Sequence, residues 1–249
     1  MSGHSKWATI KHKKAATDAK RGKAFTRIIK EISIAARSGG GDPDGNPRLR
    51  SAILAAKAAS MPSDNIKKAI MRGTGELEGG QIEEVMFEGY GPGGAAVLVN
   101  VATDNRNRTV SELRHAFSKN GGNMGAEGCV AWMFERKSQI FVAGGKITED
   151  QLMDIVLDAG GDDLRDDGDR WEVLSAPEDH DAVLKALEAS RIPTSDASIA
   201  MVPKNLVRLE GKSAGAMLRL SEALEDHEDV QQVYSNFDID EKEMEALAQ

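Results

Sequence analysis

Sixteen lysines and arginines crowd the first 75 residues, against five aspartates and glutamates. Cations at that density, with no nucleophile or metal-ligand spacing among them, do one kind of chemistry: they neutralise phosphate and release its counterions. The local balance is +11; the remaining residues hold 16 cations against 35 anions, or −19, and the two give the formal −8 of the 249-residue chain. Asymmetry of this kind points to a basic region that meets nucleic acid, while the acidic remainder keeps the protein soluble and disfavours indiscriminate phosphate contact. A merely solvated basic face is the other reading of the same charges.

Helical geometry sharpens the first reading. At about 100° per residue, Lys20, Lys23, Arg27, Lys30 and Arg37 gather on one side of a helix, opposite Phe25, Ile28, Ile29, Ile32 and Ala36. The apolar side is expected to face two further helices and the cationic stripe to point out. Upstream, Lys6, Lys11, Lys13 and Lys14 form an arm in which Trp7 either stacks on a base or sugar or anchors the arm to the helices. Asn105, Arg106, Asn107 and Arg108 cluster before another helix, where exposed N–H groups and guanidiniums bind anions. They read either as a secondary contact surface, for nucleic acid or protein, or as a cap with solvated arginines.

The motifs of enzymes fail one by one. Gly89, Gly91 and Gly94 have the spacing GxGxxG, but a phosphate fingerprint needs a helix after the glycines, whereas AAVLVNVA reads as a strand and Pro92-Gly93 as a type II turn. In DDLRDDGD a calcium loop starting at Asp163 would have Arg165 at its third position and Leu174 at its twelfth, where a bidentate Glu is required; Asp167-Gly168 is a hairpin signal instead. His4, His12, His115, His180 and His227 show no metal-ligand spacing, and Ser111 with His115 is simply one helical turn. Cys129, the single cysteine, cannot form an internal disulfide and reads as a small residue entering a strand, not an activated thiol. The expectation is a non-enzymatic protein with no catalytic residue, metal or cofactor.

Three units are expected to carry these residues. Residues 1–75 read as a basic helical domain: a long helix ending at the glycines 39–41, a second capped by Asn46 with Pro47 in its first position, and a third capped by Ser63 and ended by Gly73. After a glycine-rich linker the period turns towards strands near Glu83, with a helix from Thr109, whose hydroxyl and Glu112 form a capping-box pair, and a strand from Val130 to Phe134. Residues 136–205 give the order βαββαβ, a split βαβ sandwich. The helix and strand in 206–249 are too little to fold alone, so a discontinuous domain, 83–135 plus 206–249, is expected with 136–205 inserted in it. The fold class is α+β: a three-helix basic domain followed by two α/β, ferredoxin-like sandwiches, the third domain inserted in the second. The N-terminus lacks the apolar core of a signal peptide and no run approaches the ~18 apolar residues of a membrane span. A cytoplasmic monomer with no membrane partner is expected.

The strings GHSKWATIKHKKAATDAKRGKAFTRIIKEI, NPRLRSAI, MPSDNIKKAIMRGTG, EGYGPGGAAVLV and TDNRNRTVSELRHAFSKNGGN with AWMFERK closely resemble the YebC/PmpR family over nearly the whole chain, residues 136–205 matching more in layout than in wording. The resemblance implies three domains and no catalytic residue. It also implies a polyanion partner: bacterial members are described as DNA-binding transcriptional regulators, the mitochondrial relative is a translational activator of a cytochrome oxidase subunit, and other members are linked to relief of ribosomes stalled on proline-rich nascent chains. DNA is the first expectation, ribosomal RNA on the ribosome the alternative, since phosphate contacts carry affinity without sequence information.

Overall fold

The computed structural model describes residues 18–247 apart from 79, 145, 146, 167 and 169. Helix α1 (Asp18–Gly39) lays Ile32, Ala35 and Ala36 against Leu49, Ala52 and Ala56 of α2 (Pro47–Ala58) and Ile66 and Ala69 of α3 (Ser63–Thr74), with Phe25, Ile28 and Ile29 half-buried beside them. Asn46 starts α2 as its sequence promises: its side chain accepts from Leu49 N at 3.0 Å and its amide donates to Ala35 O at 2.7 Å and Gly40 O at 2.9 Å, so one residue caps α2 and satisfies carbonyls at the end of α1.

The third helix departs from expectation at both ends. Ser63 is its first helical residue and makes no cap, and the left-handed terminator is Gly75 (φ 83°), not Gly73. Gly73 serves the helix crossing instead: a Cβ there would stand 2.4 Å from Ser33 O and 2.8 Å from the Ala36 Cβ. Gly73→Val should therefore force α1 and α3 apart and lower stability by about 2 kcal/mol, measured by urea titration; an unchanged midpoint would show that the crossing yields at no cost.

Strands β1 (Glu83–Tyr90) and β2 (Ala96–Thr103) are joined by a tight turn in which Gly94 N donates to Gly91 O at 3.1 Å and Gly93 adopts φ 73°, ψ 8°, the third position of a type II turn. A strand follows the glycines, so the dinucleotide reading fails on structure too. Helix α4 (Arg106–Lys119) begins three residues before Thr109 because Asn105, accepting from Arg108 N at 3.1 Å, takes the cap. After the short β3 (Asn123–Met124), residues Ala131–Met133 form a 3-10 turn where a strand was expected, and β4 (Phe134–Ala143) runs without a break.

From β4 the chain continues through α5 (Glu149–Asp158), β5 (Gly161–Asp166), β6 (Arg170–Ser175), α6 (His180–Ala189) and β7 (Thr194–Pro203). The strand order is β5-β6-β4-β7, all antiparallel: the ferredoxin-like βαββαβ arrangement. The chain then returns through β8 (Val207–Arg208), α7 (Gly211–Glu225), β9 (Val230–Ser235), β10 (Phe237–Asp238) and α8 (Glu241–Leu247). β9 pairs with β2 to complete the sheet β3-β1-β2-β9, so the third domain is inserted in the second. β2 is covered on both faces, which explains its nearly unbroken apolar run. Val97, Val99 and Val101 pack with Leu113 and Phe117 of α4 and Met217, Leu220 and Leu224 of α7, while Ala96 and Leu98 face Val130 and Phe134.

Candidate nucleic-acid interface

The cationic stripe of α1 lies opposite the bundle core, but its middle, Arg27 and Lys30, meets the second domain instead of solvent. The Arg27 guanidinium donates to the Glu225 carbonyl. Lys30 Nζ lies 2.5 Å from Asp229 Oδ1 and 3.1 Å from Glu228 O. Lys23 stands 3.7 Å from Asp226 Oδ1, and Arg37 donates to Ile82 O at 3.1 Å and Gln81 Oε1 at 3.2 Å. The physical reason is the C-terminal end of α7: its last carbonyls and the acidic turn after it present partial and full negative charge, the natural seat for cations. The expectation of an outward stripe is corrected accordingly for Arg27 and Lys30; Lys23 is half-exposed beside Asp226, and Arg37 is exposed as expected, its bonds going to residues 81 and 82. Lys20 lies in the first turn of α1; Lys6, Trp7, Lys11, Lys13 and Lys14 lie outside the described residues.

Asp229 is the centre of this seam. It is 2% exposed, and its carboxylate takes Lys30 on Oδ1 and Thr109 Oγ1 (2.6 Å), Arg108 Nη2 (3.0 Å) and Thr103 Oγ1 (3.3 Å) on Oδ2. Burial pushes the carboxyl upward, yet the bonds from Lys30, Thr109 and Arg108 more than offset it and hold the group well below the usual carboxylate range. Glu112, His227 and Asp229 bring ligand atoms within 4.8 Å of one another, a grouping the sequence spacing does not reveal. It suits a cation poorly: two cationic side chains already sit on Asp229, His227 Nδ1 accepts from Asp229 N at 3.1 Å, and Nε2 is 2.8 Å from Glu112 Oε2. The cluster is an ion-pair hub.

A second buried carboxylate, Glu88 on β1, is also structural. It accepts from three backbone N–H groups, Gly128 at 2.6 Å and Val130 and Ala131 at 2.8 Å each, and so fixes the chain between β3 and β4. Burial raises its carboxyl, but the three N–H bonds bring it below its ordinary value. Burial in turn pushes the Cys129 thiol up, with the Glu88 charge adding to it, so this cysteine is the reverse of an activated nucleophile.

Phosphate-accessible cations lie on α2 and α3, where sequence reasoning did not look. Arg50 and Lys57 on α2 and Lys67, Lys68 and Arg72 on α3 are exposed and make no ion pair with a described residue. The signal was present: these are the positions that alternate with Leu49, Ala52, Ala56, Ile66 and Ala69 around the two helices. In the 105–108 cluster, Asn105 caps α4 and Arg108 is bound to Asp104 and Asp229, leaving Arg106 and Asn107 exposed.

Comparison with known proteins places this arrangement. A family model described as the TACO1/YebC protein N-terminal domain matches residues 5–76, and one described as the TACO1/YebC second and third domain matches residues 82–237. A probable transcriptional regulatory protein of Solibacter usitatus is 83% identical over the full length of both chains. One of Koribacter versatilis is 61% identical, again over the whole of both. The crystal structure of a conserved hypothetical protein from Aquifex aeolicus superposes with a TM-score of 0.79 at 46% identity, covering 90% of this chain and 92% of that one. Matched in the helical domain and in both α/β domains, and aligned end to end with its relatives, the chain belongs to the TACO1/YebC family.

Proposed function

We propose that this protein is a non-enzymatic regulator of gene expression that binds DNA, acting in the cytoplasm as a monomer, with the helical domain as its phosphate-binding element. The observation that carries the reading is the segregation of charge: +11 within residues 1–75, with Arg50, Lys57, Lys67, Lys68 and Arg72 exposed on α2 and α3, and −19 beyond. The N-terminal lysines 6, 11, 13 and 14 with Trp7 belong to the same basic segment of the sequence, and Arg106 and Asn107 offer a secondary contact. Its relatives are named as probable transcriptional regulators, which favours DNA over RNA. Among the described residues no helix is long and apolar enough to cross a membrane.

The test is direct. Replacing Lys67, Lys68 and Arg72 together by Ala should weaken binding to many sequences nearly uniformly. The slope of log affinity against log salt should become shallower by about 0.9 per lost contact on duplex DNA, or about 0.7 on a single strand. Surface changes of this kind move stability by no more than about 0.5 kcal/mol, so melting curves serve as the control. An unchanged slope on both polymers would remove this face from the interface. Cross-linking in cells, with sequencing of bound DNA and RNA, identifies the polymer, and occupancy of ribosomal RNA alone would replace the transcriptional reading by the ribosomal one.

A further inference from the structure

Each of the two units that meet at the α1 stripe closes its own core: the bundle cluster draws on residues between Phe25 and Ile70, the second-domain cluster on residues between Phe87 and Met244, and they share no side chain. The bonds across the seam are polar, with the buried Ile34, one turn after Lys30, outside both clusters. The polar groups are the three stripe cations Lys23, Arg27 and Lys30, which meet α7's last carbonyls and the turn EDHED, residues 225–229. The fit is incomplete, since Arg27 Nε is buried there without a hydrogen-bond partner, and burial lowers the basicity of that guanidinium. A seam of cations on carboxylates and carbonyls with an unsatisfied donor is what a competing polyanion displaces, because phosphate replaces its acceptors oxygen for oxygen; salt screens the exposed Lys23–Asp226 pair and much less the buried Lys30–Asp229 pair.

We propose that residues 225–229 are an internal phosphate mimic: the carboxylates and carbonyls of this turn hold Lys23, Arg27 and Lys30 in a docked state, and nucleic acid must displace the turn to reach the stripe. The idea rests on the nucleic-acid reading above and adds regulation to it. In the docked protein the exposed cations of α2 and α3 make first contact; the stripe joins once the helical domain swings away from the turn, against the bonds of Arg37 to Gln81 and Ile82. Binding affinity is then reduced by the fraction of protein that is docked.

The test uses the full chain and a short fluorescent DNA duplex, with a single-stranded RNA of the same length in parallel. Asp229→Asn should tighten binding on the order of tenfold by raising the undocked fraction. Asp226→Asn, whose partner is exposed and 3.7 Å away, should tighten it about threefold. Asp150→Asn on α5 changes the net charge equally and should have no effect. Where Asp229→Asn fails to fold, the surface variant Asp226→Asn and the wild type still decide: backbone amide resonances of residues 226–230 should shift when the wild type is saturated with duplex, although an acidic turn repels phosphate. Equal affinities for all four proteins with those resonances unmoved would overturn the competition and leave the binding function intact. Failure of every protein to bind either polymer at low salt would remove the binding function itself, and the competition with it.

Discussion

Glu88→Ala should lower the unfolding free energy by about 4 kcal/mol, the largest effect expected of any single substitution considered. Three backbone N–H groups lose their acceptor at once. An unsatisfied buried donor costs about 1–3 kcal/mol, and of the three only Val130 N is fully buried, Gly128 N and Ala131 N being partly so, which keeps the sum in the lower part of its range. Glu88→Gln keeps an acceptor and the side-chain volume but loses the charge, and should cost about half as much. The sign with pH follows from the depressed carboxyl: Glu88 stabilises fully above the unfolded-state value of about 4.3, and the contribution drains away as pH falls below it. Urea titrations at neutral pH and at pH 3 check both statements. A wild-type-like midpoint for the alanine variant would mean that the segment between β3 and β4 finds other acceptors.

Asp229→Ala should cost about 3 kcal/mol, because it strips the partner from Lys30, whose side chain is only 14% exposed, and leaves Thr103 and Thr109 without their shared acceptor. Arg108, at 45% exposure, recovers water and contributes little. Again the carboxyl is depressed in the folded protein, so this stability is complete above about pH 4 and is lost progressively on acidification. The variant should therefore show a shallower loss of stability between pH 4 and pH 2 than the wild type. A double-mutant cycle with Lys30→Met isolates the ion pair; a coupling below about 0.5 kcal/mol would place the cost in the threonine network instead.

What could be read from the sequence was what is decided locally. The Asn46-Pro47 start of α2 and the turn at Pro92-Gly93 are each settled within a few residues, and both form as the residue types require. Gly73 shows the opposite: a glycine near a helix end looks like a terminator, yet its lack of a side chain answers to Ser33 and Ala36, 40 and 37 positions earlier. Thr109 likewise resembles a cap because Glu112 follows it, whereas its hydroxyl is committed to Asp229 across 120 positions. The stripe of α1 was legible as a stripe, and its face opposite the core was legible too. Its partners were not, since Lys30 and Asp229 are 199 positions apart and no periodicity links them. The outward cations of α2 and α3 were missed for a different reason: they are spread over two helices and form no run.

The insertion of the third domain also governs how the chain finds its fold. β2 and β9 meet across 139 positions, as the Ser235 hydroxyl on Ala96 O shows, and closing a loop of that length before any contact rewards it is slow. The inserted unit shortens the search. Its first and last strands are direct neighbours, with Phe134 opposite Pro203, so once it has folded the two points at which the outer domain is interrupted stand at the spacing of adjacent strands. The loop left to close is then the 38 positions from Ala96 to Phe134 plus the 32 from Pro203 to Ser235, about half the original span, and the acidic domain in the middle of the sequence becomes a splint for the one that surrounds it.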